Sequence, residues 1–114
     1  MIDHPALSDR QRTPPQTVAE AAARGLALRE DHGRGGTEVG VRRARRLMER
    51  EPVSDRDIKS IHSYFARHAV DKLGRHWADP HRPSAGYIAW LLWGGDEGRA
   101  WIDGLRQTLR EVGV

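Results

Sequence analysis

The chain of 114 residues contains no cysteine. That absence excludes a disulfide framework, a zinc site built from thiolates and a cysteine nucleophile. No apolar run approaches the ~18 residues of a membrane span, and the longest one, Tyr87 to Trp93, is far too short. The N-terminal residues lack a basic stretch followed by an apolar one, so we expect no signal peptide, no membrane partner and a soluble intracellular protein.

Trp, Tyr and Phe are also missing from the first half of the sequence. All four Trp, both Tyr and the single Phe lie between Ser63 and Ile102. Large aromatic side chains dominate the buried area of small domains, so we expect the core to be anchored in this second half. The length predicts one domain, which is large enough to form a core without metal or disulfide crosslinks.

Apolar residues recur at helical spacing along the chain, and no stretch alternates long enough to predict a strand. Hydroxyl or carboxylate side chains stand where N-caps are needed, at Thr13, Thr37, Ser54, Ser84 and Asp96. The sequence therefore predicts an all-α, compact single domain of about five helices. The predicted helices run from Pro14 to about Leu28, from Glu38 to about Arg50, from Ser54 to about Lys72, from Ala85 to Trp93 and from Glu97 to about Glu111.

Residues 1–13 show no apolar period, and most of them are polar. We interpret them as a mobile N-terminal arm outside the helical domain, which then spans residues 14–114. A mobile arm is also a candidate contact surface for a partner.

Arginine is concentrated between Arg34 and Arg50. This stretch contains six Arg and only two Glu, although the whole chain carries a formal net charge of only +3. Such a cluster binds phosphates through guanidinium forks, or it forms a solvated or protein-binding helix face. Both alternatives stay open, because neither neighbouring helix shows a set of side chains placed to read bases. The candidate contact residues are Arg34, Arg42, Arg43, Arg45, Arg46 and Arg50, together with Trp77, which we expect to be exposed in the loop from Gly74 to Pro83.

The remaining polar groups do not combine into a catalytic set. Arg67, His68 and Asp71 lie within one or two helical turns and contain the beginning of acid–base machinery, but no nucleophile accompanies them. We interpret them as ties between a helix, the following loop and Asp96. His62 and His68 are six residues apart, which is not the spacing of a metal pair on a helix. We therefore expect no enzyme, no metal, no cofactor and no small-molecule substrate.

Three phrases of the sequence form a pattern. They are Gly35-Gly36-Thr37 before a basic helix, then Ser63-Tyr64-Phe65-Ala66-Arg67-His68, then the run from Pro83 to Trp101, PSAGYIAWLLWGGDEGRAW. This pattern resembles a small helical module of tailed-phage and prophage proteins, often found near head-morphogenesis genes. The resemblance covers about Pro15 to Ile102, and the last phrase is long enough to be specific. It implies a phage origin and a free-standing helical module. It implies no catalytic residue, and the loop from Asp71 to Pro83 is shorter than in the pattern.

Together these features predict a non-catalytic interaction module that is associated with a virion or its assembly. Its partner is expected to be a phage structural protein, contacted through the arginine-rich helix and the N-terminal arm, in the virion or the host cytoplasm. The alternative is a small DNA-binding protein without sequence preference that uses the same helix.

Overall fold

The computed structural model describes residues 2–114, and within that range the fold is all-α, as predicted. Five helices have eight residues or more, and a single helical turn precedes them. A 3₁₀ helix, Ala69–Leu73, directly follows the α-helix that ends at His68. The α-helices are α1 (Asp9–Arg12), α2 (Gln16–His32), α3 (Glu38–Met48), α4 (Asp55–His68), α5 (Ala85–Leu92) and α6 (Gly95–Glu111).

The hydroxyl N-caps predicted at Thr37, Ser54 and Ser84 are present, whereas the cap predicted at Thr13 is wrong, because Pro15 is the N-cap of α2 and makes no side-chain cap. Ser54 and Asp57 form a reciprocal capping box at the start of α4, and Thr37 and Ser84 each accept a free backbone N–H in the first turn of α3 and α5. The cap predicted at Asp96 is wrong. Gly94 is the N-cap of α6, with a φ of 119° that favours glycine, so the helix begins two residues earlier than predicted, at Gly95, and Asp96 lies in its first turn.

The core surrounds α5, where Trp90 is almost completely buried. Its indole packs edge-on against Phe65 of α4, with ring centroids 4.7 Å apart. Tyr64 stacks on Trp93 at 4.5 Å with nearly parallel rings. The aromatic half of the sequence therefore forms the centre of the fold, as predicted, and α2, α3 and α6 pack around it.

Helix α2 approaches α5 through its small side chains. Val18, Ala19, Ala22 and Gly25 are its buried residues. A Cβ atom on Gly25 would lie 2.8 Å from the backbone nitrogen of Leu92, closer than real Cβ contacts occur. A larger side chain at this position would therefore push α2 away from the core.

Residues 2–13 pack on the helical domain, which corrects the expectation of a mobile arm at 1–13; Met1 lies outside the described residues. Leu7 is buried in the core, and α1 carries its own capping box at Ser8. Arg12 is buried with an ion pair to Asp55, and its carbonyl accepts the N–H of Val53. This docking is not predictable from apolar spacing, because Leu7 is an isolated apolar contact and the segment is held mostly by hydrogen bonds.

Within residues 2–114, no helix has the length and apolar character needed to cross a membrane.

Candidate partner-binding surface

Helix α3 is amphipathic, and this pattern decides which of its arginines face solvent. Val41, Ala44 and Leu47 are buried where α3 packs against α2 and α5. The opposite face carries three exposed arginines, which we call the α3 arginine surface: Arg42, Arg45 and Arg46. Among the ion pairs of residues 2–114, one involves this surface, a long contact of 3.8 Å between Arg46 and Glu51.

Arg43 does not belong to that surface, although it lies next to Arg42 in the sequence. Its guanidinium donates to Asp57 Oδ1 at 3.0 Å and lies 5.7 Å from the ring centroid of Trp93. Burial raises the pKa of Asp57, but hydrogen bonding from the backbone N–H of Ser54 and the charge of Arg43 outweigh burial and hold that pKa below its ordinary value. Arg43 therefore connects α3 to α4 and has little freedom to meet a partner.

Arg34 and Arg50 lie at the two ends of α3 and bind backbone carbonyls. Arg34 donates to the carbonyl of Pro83 at 2.8 Å, so it links the loop before α3 to the loop before α5. Arg50 donates to the carbonyl of Pro14 at 2.7 Å. Its φ of 57° is unusual for a residue other than glycine, and this hydrogen bond helps to hold the turn.

Trp77 is only partly exposed, in contrast to the expectation of an exposed contact residue. Its ring packs edge-on against Tyr87 at 5.3 Å and against Trp90 at 5.7 Å. Trp77 therefore extends the aromatic core toward solvent.

The predicted polar tie after α4 is present in part. His68 Nδ1 lies 3.0 Å from Asp71 Oδ2, and the His68 ring stacks on Tyr64. Burial, followed by the negative charge of Asp71, raises the pKa of the Tyr64 hydroxyl. The predicted tie to Asp96 instead involves Lys72, whose ammonium group donates to the Asp96 carboxylate. Among residues 2–114 no three His, Asp or Glu side chains converge in a way that could hold a metal ion.

The structure contains a second candidate site that the sequence does not predict. It is a cleft of about 390 Å³ between α2, α5 and the start of α6. We call it the aromatic cleft. Trp77, Tyr87 and Trp90 form its aromatic wall, and carboxylates from α2 and α6 lie on its other sides, those of Glu20, Asp96 and Glu97. No motif predicts such a site, because its walls come from three separate parts of the chain.

Lys72 of the 3₁₀ helix does not line this cleft, but it contacts three residues of the cleft wall, Trp77, Trp90 and Asp96. Its Nζ donates to Asp96 Oδ1 at 2.6 Å and lies 5.0 Å from the ring centroid of Trp90. The indole N–H of Trp90 donates to the same Asp96 oxygen at 2.9 Å. These donors, Lys72 foremost, lower the pKa of Asp96 below its ordinary value although burial acts against them.

Comparison of the chain with known protein families, curated proteins and solved structures finds no match.

Proposed function

We propose that this chain is a non-catalytic binding module whose α3 arginine surface binds an acidic surface of a partner protein. The observation that carries the proposal is that Arg42, Arg45 and Arg46 are all exposed on one face of a single helix. The body of that helix is meanwhile held firmly by its buried residues and by Arg43. A rigid helix that presents several guanidinium groups is well suited to bind carboxylates, because each planar group forms two parallel hydrogen bonds.

An apolar contribution favours protein over nucleic acid as the partner. Val39 is 54% exposed, and it lines a shallow depression of about 160 Å³ together with Arg42, Arg43 and Arg46. Protein interfaces bury apolar side chains next to arginine, whereas a phosphate backbone offers Val39 nothing comparable. The resemblance to modules of tailed phages supports a virion or assembly protein as the source of the acidic surface.

Nucleic acid is the second candidate, because the same three guanidinium groups would also bind phosphates. With Arg43 held by Asp57, the number of phosphate contacts expected from α3 is small. Such binding would be weak, independent of sequence and strongly dependent on salt.

The test compares a triple variant, Arg42→Ala with Arg45→Ala and Arg46→Ala, with a control that removes three exposed arginines elsewhere. The control variant carries Arg10→Ala, Arg67→Ala and Arg110→Ala, so it has the same net charge. Both variants are expected to melt near the native temperature, because exposed substitutions change stability by about 0.5 kcal/mol or less.

Co-purification with co-expressed phage head proteins is expected to be lost in the α3 variant and kept in the control. Equal loss in both variants would mean that only the total charge matters. Gel shifts with duplex DNA at several salt concentrations test the second candidate. DNA binding whose log–log salt slope decreases by about 0.9 for each arginine removed from α3 would favour phosphate contacts.

A further inference from the structure

We infer that an organic ammonium ion binds at the edge of the aromatic cleft, in the place that Lys72 Nζ occupies against Asp96 and Trp90. This site is separate from the α3 arginine surface and does not depend on it. The inference comes from an ammonium group that the chain itself supplies, held between an indole ring and a carboxylate.

The chemistry of this place matches the recognition of ammonium ions. A cation is attracted to the face of an aromatic ring within about 6 Å, and more strongly when a carboxylate completes the site. Lys72 Nζ lies 5.0 Å from the Trp90 ring and 6.0 Å from the Trp77 ring, in addition to its hydrogen bond with Asp96. The indole N–H of Trp90 orients the same carboxylate from below, so the acceptor is already in position.

Charge around the cleft also favours a cation. Asp96 and Glu97 lie in the first turn of α6, where their charges offset the positive end of the helix. Glu20 adds a third carboxylate from α2. Two arginines oppose these three carboxylates: Arg24 lines the cleft, and the guanidinium of Arg99 lies 5.8 Å from the ring centroid of Trp90. When Lys72 leaves, the cleft therefore carries more negative than positive side chains.

Lys72 is able to leave. Its side chain is about one-third exposed, and it extends from a short 3₁₀ helix whose other residues are not buried. Lys72 thus acts as a tethered competitor for an external ammonium ion. The chain has only one other lysine, Lys59, which is exposed on α4 and provides a matched control.

The experiment titrates n-butylammonium, the smallest analogue of a lysine side chain, into the native chain and into the variants Lys72→Ala and Lys59→Ala. The readout is the NMR signal of the Trp90 indole N–H, which reports directly on Asp96. Removal of the tethered competitor is expected to strengthen binding by about five- to thirtyfold in Lys72→Ala, from the combined ion pair and cation–π contact that Lys72 gives up. Lys59→Ala is expected to bind like the native chain.

Equal affinity in Lys72→Ala and the native chain would overturn the inference, as would equal binding of n-butanol, which lacks the charge. In the Lys72→Ala background, Asp96→Asn keeps an oxygen for the Trp90 N–H but removes the negative charge, so n-butylammonium binding is expected to be lost. Asp103→Asn, on the same helix but outside the cleft, is the control for net charge.

Two further measurements complete the design. If Lys72→Ala fails to fold, the native chain at higher n-butylammonium concentration still decides the question, because a shift of the Trp90 signal with n-butylammonium and none with n-butanol is required. Nα-acetyl-lysine methylamide distinguishes the sources of the ammonium group. Tighter binding than n-butylammonium indicates a lysine of a partner protein, and equal binding indicates a free amine.

Discussion

Replacement of Arg12 by alanine tests how residues 2–13 are held on the helical domain. The Arg12 side chain is only 4% exposed and donates to Asp55 Oδ1 at 2.8 Å, to the carbonyl of His4 at 2.8 Å and to that of Val53 at 3.2 Å. Asp55 is itself buried, and its second oxygen accepts the backbone N–H of His4. Truncation of Arg12 would leave a buried carboxylate without its cation.

The expected loss of stability is about 3–5 kcal/mol, which is the usual cost of removing one partner of a buried ion pair. For a chain of this size that loss lowers the melting temperature by roughly 10–20 °C. The stability of Arg12→Lys is expected to lie between that of the native chain and that of Arg12→Ala. An ammonium keeps the positive charge, but it lacks the planar fork that reaches Asp55 and both carbonyls at once.

The assay is urea denaturation, with Arg10→Ala as the control on the same short helix, where the side chain is exposed. The double variant Arg12→Ala with Asp55→Ala is expected to be more stable than Arg12→Ala alone, because the orphaned charge is removed as well. A loss of less than about 1 kcal/mol in Arg12→Ala would refute the reasoning. It would mean that residues 2–13 contribute little to the folded state.

Three more predictions concern the core and the response to acid. Gly25→Ala is expected to cost about 1–3 kcal/mol in urea denaturation, because its Cβ would meet the backbone of α5, whereas Gly104→Ala, with no atom within 4 Å in the exposed part of α6, is expected to stabilise by about 0.5–1 kcal/mol. Trp90→Ala is expected to cost about 3–5 kcal/mol, as a large-to-small change in the core, and an unchanged melting temperature would contradict the central place of α5. Burial raises the pKa of Asp55, but the His4 N–H and the Arg12 guanidinium outweigh it and lower the pKa below its ordinary 3.8. The stability from ionised Asp55 is therefore complete above about pH 4 and lost as the pH falls through the lowered value, so Asp55→Asn is expected to flatten the acid side of the stability curve.

The features of the fold that depend on residues close together in the sequence, such as three of the hydroxyl helix caps, can be predicted from the sequence. Thr37, Ser54 and Ser84 cap their helices because a hydroxyl and the N–H it accepts are only three residues apart. Asp96 was misassigned because Gly94 and Gly95 both adopt positive φ values, which turns the chain and starts the helix earlier than the carboxylate suggested. Such local conformations are not visible in a pattern of apolar residues.

The rest depended on contacts between distant parts of the chain. Arg42 and Arg43 are identical, adjacent residues in the sequence, yet Arg42 faces solvent and Arg43 binds Asp57, because successive residues of a helix point about 100° apart. Their different roles can be predicted only when the position of α4 is known. The aromatic cleft likewise depends on where α2 and α6 meet α5, which no spacing in the sequence encodes.

The docking of residues 2–13 also bears on the order in which the protein is made. Arg12 pairs with a carboxylate 43 positions further along, and the carbonyl of Gln11 accepts the indole N–H of Trp101, 90 positions away. During synthesis on the ribosome this segment is made before the residues that bind it. It therefore has to remain undocked until α4 and then α6 have been translated. On this structure, residues 2–13 are made before α4 and α6 but can dock only after them.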